Sequence, residues 1–238
     1  MFLRFGLVLS TIAILSLSST LALADRRFYV WTYQYQTMPQ GNTELELYQT
    51  TKMREVDQNE FRIEIEHGLT SRWDASLYEI FVQNEGSAMK WDAWQLRTRY
   101  RFGEVDQYFM DPLVYIEYNR KTETSSPNKL EGKLILAKTV DKWNIAVNPV
   151  YEYFFAPDTK HEVGFDLGTS IEFHPKFVAG LESTTRVEFE EDENVTESYL
   201  GPTVSFASGG LWLSAGIAAG ITDDSDDSRF RMIMGIDL

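Results

Sequence analysis

Three observations predict the fold class. Apolar and polar residues strictly alternate over long stretches, aromatic side chains gather near the ends of those stretches, and no run beyond the leader is apolar enough for a membrane helix. Together they predict an all-β chain, a transmembrane antiparallel up-and-down β-barrel of twelve strands. The composition is consistent with this. The 238 residues are 43% hydrophobic and 14% aromatic, yet the mean hydropathy is only −0.29. Successive side chains of a strand point to opposite faces, so such an average conceals one oily and one polar surface.

Residues 1–24 read as a secretory signal: a basic Arg4, an apolar run from Leu7 to Leu17, and the small-x-small pattern Ala22-Leu23-Ala24. Cleavage is expected after Ala24, and the mature chain is expected to be exported. Without cysteine, disulfides, thiolate metal sites, a Cys nucleophile and a Cys-borne lipid anchor are excluded. Only His67, His161 and His174 are available as imidazole ligands, and the acidic runs Asp223–Asp227 and Glu190–Glu193 lack calcium-loop spacing, so no metal or cofactor is expected. The net charge of −14, from 22 Lys+Arg against 36 Asp+Glu, argues against a nucleic-acid partner.

The alternation places candidate strands at 27–37, 43–53, 59–67, 73–83, 91–102, 112–121, 129–140, 143–154, 162–173, 177–189, 198–207, 211–222 and 229–238. Phe61, Ile63 and Ile65 alternate with Arg62, Glu64 and Glu66, and the pattern recurs from Trp94 to Phe102 and from Val163 to Phe173. A soluble barrel would turn the oily face inward. A membrane barrel turns it outward, and three features favour that: strands of about ten residues, charge ladders on the polar face, and aromatics such as Trp143, Tyr151, Tyr153, Phe173, Phe177 and Phe189 at strand ends. Pro149 and Pro202 interrupt strands on the lipid face, where each removes a ladder donor and marks a bulge or a boundary.

The final segment carries the most specific signal. Phe230, Met232, Met234, Ile236 and Leu238 alternate unbroken to the last residue. Here the chain resembles the Gram-negative outer-membrane β-barrel proteins, whose C-terminal strand ends on an apolar residue in this way. The turn from His67 to Asp74 is similar to the short periplasmic hairpins of the same class. The resemblance implies a bacterial outer-membrane location, contact with lipid and lipopolysaccharide, and recognition of the last strand by the barrel assembly machinery.

Thirteen segments conflict with the even strand number of single-chain bacterial barrels. With Leu238 on the periplasmic side, the longer loops near 54–58, 83–88, 122–128, 156–160, 190–197 and 223–227 fall outside. The tight turns at 68–72, 141–142, 174–176 and 208–210 fall inside. The barrel is then 43–238, and residues 25–42 are surplus. They are read either as a strand at the barrel seam or as a plug packed in the lumen against Gly164, Gly168, Gly201, Gly216 and Gly220.

The inferred register turns Arg62, Glu64, Glu66, Arg97, Arg99, Arg101, Glu117, Glu152, Asp166, Glu182, Arg186, Glu188, Arg229 and Arg231 toward the lumen as candidate pore-lining residues. Arg97, Arg99 and Arg101 form a basic wall, expected to face Glu182 and Glu188. Such a layout orients polar solutes, so the expected function is a narrow channel for small polar or charged solutes. The alternative is a non-conducting barrel, its inward charges paired, serving envelope structure or lipid interaction. An enzyme is less favoured. A lipid-modifying barrel needs a Ser–His pair at the outer rim, and only His161, with Ser198 at similar height, approaches that place.

Overall fold

The computed structural model describes residues 26–54, 56–156, 160–189 and 194–238. The leader expected at 1–24 and the acidic run 190–193 lie outside the described residues. The described chain forms twelve strands: β1 (Thr43–Met53), β2 (Gln58–Thr70), β3 (Trp73–Asn84), β4 (Lys90–Arg101), β5 (Asp111–Lys121), β6 (Lys129–Val140), β7 (Trp143–Phe154), β8 (Lys160–His174), β9 (Phe177–Phe189), β10 (Asn194–Ser208), β11 (Leu211–Gly220) and β12 (Ser228–Asp237). Each pairs antiparallel with its sequence neighbours, and β1 pairs with β12 to close the barrel. The seam runs from Glu44↔Asp237 to Met53↔Ser228, so no strand is missing from it.

The barrel is inside-out relative to a soluble one. Ile63 and Ile65 are 44% and 51% exposed, whereas Glu64 and Glu66 are 0% exposed. That contrast, repeated around the barrel, puts the oily face outside and the charges inside. Rings on the outer face form girdles near the strand ends: Trp94, Tyr118, Phe155 and Tyr153 in contact at one end, Phe173 and Phe177 at the other.

The two ends of the barrel differ. At one end lie both the start of β1 and the C-terminus, joined by the Leu238 N–H donating to the Thr43 carbonyl (3.0 Å). Four strand pairs turn there in two residues, as at Asp141–Lys142, where Asp141 takes a positive φ of 54°. We call this the turn end and the opposite one the loop end. The turn end also carries a longer connection, 102–110, absent from the turns expected from sequence.

Three sequence expectations need correction. The 27–37 segment makes no strand, although its alternation is as regular as that of its neighbours. The loop expected at 190–197 is shorter, because Asn194–Glu197 continue β10 and pair with Phe189–Arg186 of β9. Neither proline makes a bulge. Pro149 pairs with Phe165 of β8 and Pro202 with Leu181 of β9, and on their other sides the register is the same before and after a short gap. Each proline lacks an N–H on only one flank, so the ladder loses rungs there without an inserted residue.

Candidate functional site: the charged lumen and its inner segment

All fourteen candidate lumen residues lie on the inward register of their strands, but they do not line an open bore. Most of them join compact networks along the wall. Arg97 contacts Glu64 at 2.8 Å and Glu66 at 2.5 Å, and donates to the Tyr78 hydroxyl at 2.6 Å. Arg99 contacts Asp74 at 2.7 Å and also reaches Glu66. These partners come from β2, β3 and β4, three adjacent strands, and their side chains are at most 5% exposed. A second network on β6 to β9 joins Lys129 to Glu152 (2.5 Å), Lys133 to Glu131 (2.8 Å), and Arg186 to Asp166 (2.7 Å) and Glu162 (3.3 Å). Glu117 accepts from the Tyr115 hydroxyl, Arg62 pairs with Glu60 (2.7 Å), and Glu188 pairs with Lys160 (2.5 Å).

Buried pairs of this kind contribute little net stability, but removing one partner leaves a charge stranded. Arg99→Ala strands Asp74 and leaves Glu66 with Arg97 as its cation, with an expected cost of about 3–5 kcal/mol. A lower unfolding temperature in the heat-modifiability gel checks this. An unshifted transition would mean that the pairs are not dehydrated.

The expected basic wall does not face an acidic wall across empty space. Residues 26–42 stand between them. This segment starts at the turn end, where the Arg26 guanidinium donates to the Pro175 carbonyl (2.9 Å) and lies 3.5 Å from Glu172. It climbs to mid-barrel at Val30–Thr32 and returns, the Met38 N–H reaching Asp74 (2.9 Å) and the Gly41 N–H reaching the Gly68 carbonyl (2.8 Å). Both faces of its middle are covered: Tyr29 and Val30 are 0% exposed, Thr32 is 1% and Tyr33 is 9%. A strand in a barrel wall would show one exposed face.

The wall holds the backbone of this segment with side chains. Glu182 accepts three consecutive N–H groups, from Val30 (2.8 Å), Trp31 (2.8 Å) and Thr32 (2.7 Å). Hydrogen bonds to an ionised acceptor are the strong kind, and here one carboxylate satisfies three buried donors that no sheet pairs. Asn148 brackets Tyr33, accepting its N–H (2.6 Å) and donating to its carbonyl (3.0 Å). The Tyr29 hydroxyl donates to Asn144, and the Ser214 hydroxyl donates to the Arg27 carbonyl (2.5 Å). The Tyr33 ring lies among four cations, Arg27 (4.1 Å), Lys133 (5.3 Å), Arg99 (5.9 Å) and Arg97 (6.0 Å), and 5.1 Å from the Tyr115 ring. Tyr33 thereby separates the two charge networks.

Two inward glycines make room for it. A Cβ at Gly168 would meet the Tyr29 ring at 2.8 Å, and one at Gly216 would meet Val30 at 2.8 Å and Trp31 at 3.3 Å. Gly164, Gly201 and Gly220 instead face neighbouring barrel residues, chiefly backbone. Two recesses flank the segment. One of about 120 Å³ lies near the turn end, between Phe28, Gln34, Tyr35 and the wall at Asp111, Lys138 and Asn144. The other, of about 10 Å³ beside Tyr33 and Arg99, holds one water at most.

The three histidines sit elsewhere. His161 is on the lipid face, stacked on Phe189 (5.0 Å) and beside Tyr151. His67 bonds Thr43 (2.8 Å), and His174 accepts the Lys176 N–H (3.1 Å). Ser198 shares its hydroxyl with Thr185 (2.9 Å). Sequence reasoning missed Asn144 and Ser214 as holders of the segment. Their only signal is a polar residue at an inward position, which many unrelated residues share.

The sequence matches no family model and no curated protein. Solved structures do match. The NanC porin superposes with a TM-score of 0.56 at 10% identity, covering 82% of this chain and 100% of that one. The KdgM porin in complex with disordered oligogalacturonate gives 0.57 at 12%, covering 81% and 98%. The translocator domain of the autotransporter NalP from Neisseria meningitidis gives 0.55 at 9%, covering 82% and 86%. The chain has the fold of an outer-membrane β-barrel. At these identities the likeness shows the fold alone.

Proposed function

We propose that the protein, exported by its 1–24 leader and inserted in the bacterial outer membrane, is a narrow channel for small polar or charged solutes whose lumen residues 26–42 plug. The observation that carries this is the manner of closure. Strand side chains meeting across the lumen do not close the barrel; a separate segment does, held by polar contacts from Glu182, Asn148, Asn144, Ser214 and Asp74. Such contacts exchange readily with water once the segment moves, and a charged, hydrated path then remains. Small porins share the fold, and one was solved with an acidic oligosaccharide, which fits a solute path of this kind.

A second reading, a permanently sealed barrel that serves envelope structure or lipid interaction, draws support from the dehydrated Arg97–Glu64–Glu66 network. Contacts with lipopolysaccharide and with the barrel assembly machinery through β12 belong to either reading.

A disulfide distinguishes the two. The chain has no cysteine, so an engineered pair has no competitor. Val30 Cγ2, where the sulfur of V30C would sit, lies 2.8 Å from where a Gly216 Cβ would stand, close enough for a sulfur at each position to meet. In planar bilayers, V30C/G216C is expected to be silent when oxidised and to conduct when reduced. Identical traces in both redox states would refute a moving plug.

A further inference from the structure

The cations of the lumen fall into two groups. Arg62, Arg97, Arg99, Arg186, Lys129 and Lys133 each have a carboxylate at 2.8 Å or less. Among the described residues, Arg229 and Arg231 touch none; nor do Lys52, Arg27, which lies on the inner segment and donates to the Tyr48 hydroxyl and the Thr32 carbonyl, and Arg101, which donates to the Ser71 carbonyl at the turn end. Arg229 donates to the Thr184 hydroxyl, its guanidinium lies 4.0 Å from the Tyr199 ring and 4.5 Å from the Trp31 ring, and its Nε is buried without a partner. Arg231 donates to the Thr50 hydroxyl (2.8 Å) and to the Val30 carbonyl (3.2 Å).

Asp166 beside Arg229 and Glu60 beside Arg231 are already held by Arg186 and Arg62, each at 2.7 Å. Arg27, Arg62 and Arg186 also face this pair, so positive charge is in local excess. Two guanidinium groups two residues apart on one face of β12, partly exposed above the apex of the inner segment, suit the oxygens of a carboxylate or phosphate. β12 begins at the loop end, so the ligand would enter from that side.

We infer that Arg229 and Arg231, above Trp31, form a binding site for the oxyanion of a small acidic solute, and that its occupancy loosens residues 26–42. The loosening follows from competition. The Arg231 guanidinium that turns to an oxyanion leaves the Val30 carbonyl, and Arg229 draws away from Trp31. The inference deepens the channel reading and rests on it for the route the solute takes, but binding is measurable without conduction.

The test is calorimetric titration of the refolded mature chain in detergent with glucuronate, with inorganic phosphate and with glucose as the uncharged counterpart. Glucuronate or phosphate is expected to bind and glucose not to, and the preferred anion separates a carboxylate from a phosphate solute. R229Q/R231Q is expected to weaken binding about tenfold or more. R229K/R231K, which retains both charges and so guards against misfolding, is expected to weaken it less. R72Q, an exposed arginine at the turn end, is expected to bind like the wild type. Saturating ligand is expected to speed tryptic cleavage after Arg27. No binding of either anion, or equal affinity in R229Q/R231Q with a folded, heat-modifiable band, overturns the site. Unchanged tryptic protection at saturation overturns its link to the segment. A chain that binds anion yet never conducts refutes the channel reading alone.

Discussion

Deletion of residues 27–37 is expected to convert the refolded barrel into a steadily conducting pore, with current raised by roughly an order of magnitude or more over the intact chain. The barrel closes without this stretch, since the β1–β12 seam is built from Glu44–Met53 and Ser228–Asp237. The deletion removes Tyr29, Val30, Trp31, Thr32 and Tyr33, which together occupy the middle of the lumen. Left behind are the side chains that held them, Glu182, Asn148 and Ser214, the small Gly168 and Gly216, and the ion pairs of the wall. That surface is polar and can hydrate. The aromatic burial lost should lower the unfolding temperature, but the heat-modifiable band should persist. Planar-bilayer recordings read the result directly. A folded deletion variant with no more current than the intact chain would mean that the wall networks alone seal the lumen, and the structural reading would prevail.

The second large effect is expected at a single carboxylate. Glu182→Ala leaves the N–H groups of Val30, Trp31 and Thr32 without acceptors in a site that is 2% exposed. Each stranded donor costs about 1–3 kcal/mol, and three exceed what a short segment can recover from packing, so residues 26–42 are expected to undock. Glu182→Gln keeps the shape but turns an amide donor toward these N–H groups, and an intermediate effect is expected. Limited trypsin digestion followed by mass spectrometry provides the readout. Arg26 and Arg27 are each 8% exposed in the docked segment and should become cleavable when it leaves. Protection equal to the wild type in Glu182→Ala would show that the carboxylate does not hold the segment.

Much of the fold is legible in the chain because a strand's period is exact. The run from Phe61 to Glu66 assigns each residue a face, and the faces found are those expected, with Ile65 outward and Glu66 inward. Several strands, such as β6 and β7, begin and end where alternation begins and ends. Boundaries shift where pairing outlasts the pattern, as at Asn194–Glu197, whose ladder is stabilised by β9 and not by its own periodicity.

The site is less legible. The partners of Arg97 and Arg99 lie on β2 and β3, 19 to 33 residues away in sequence, and alternation carries no information on which inward charges meet. Hence a wall expected to face Glu182 is neutralised by its own neighbours. Glu182 appears in the sequence as one more inward acid, and its three N–H partners arrive from 150 to 152 residues upstream.

Residues 27–37 mark the division most clearly. Their alternation of Tyr29, Trp31, Tyr33 and Tyr35 is that of a strand, and the even-strand rule alone sets them apart as surplus. Composition and period determine by themselves that the chain is a barrel with an oily exterior and a charged interior, because facing is a local consequence of backbone geometry. Where the surplus segment lies, which charges pair and which arginines are left without a carboxylate are decided only in three dimensions. The twelve-strand ladder is saturated at its seam, so an extra extended segment finds no edge to join. Its backbone donors turn instead to the side chains of the lumen.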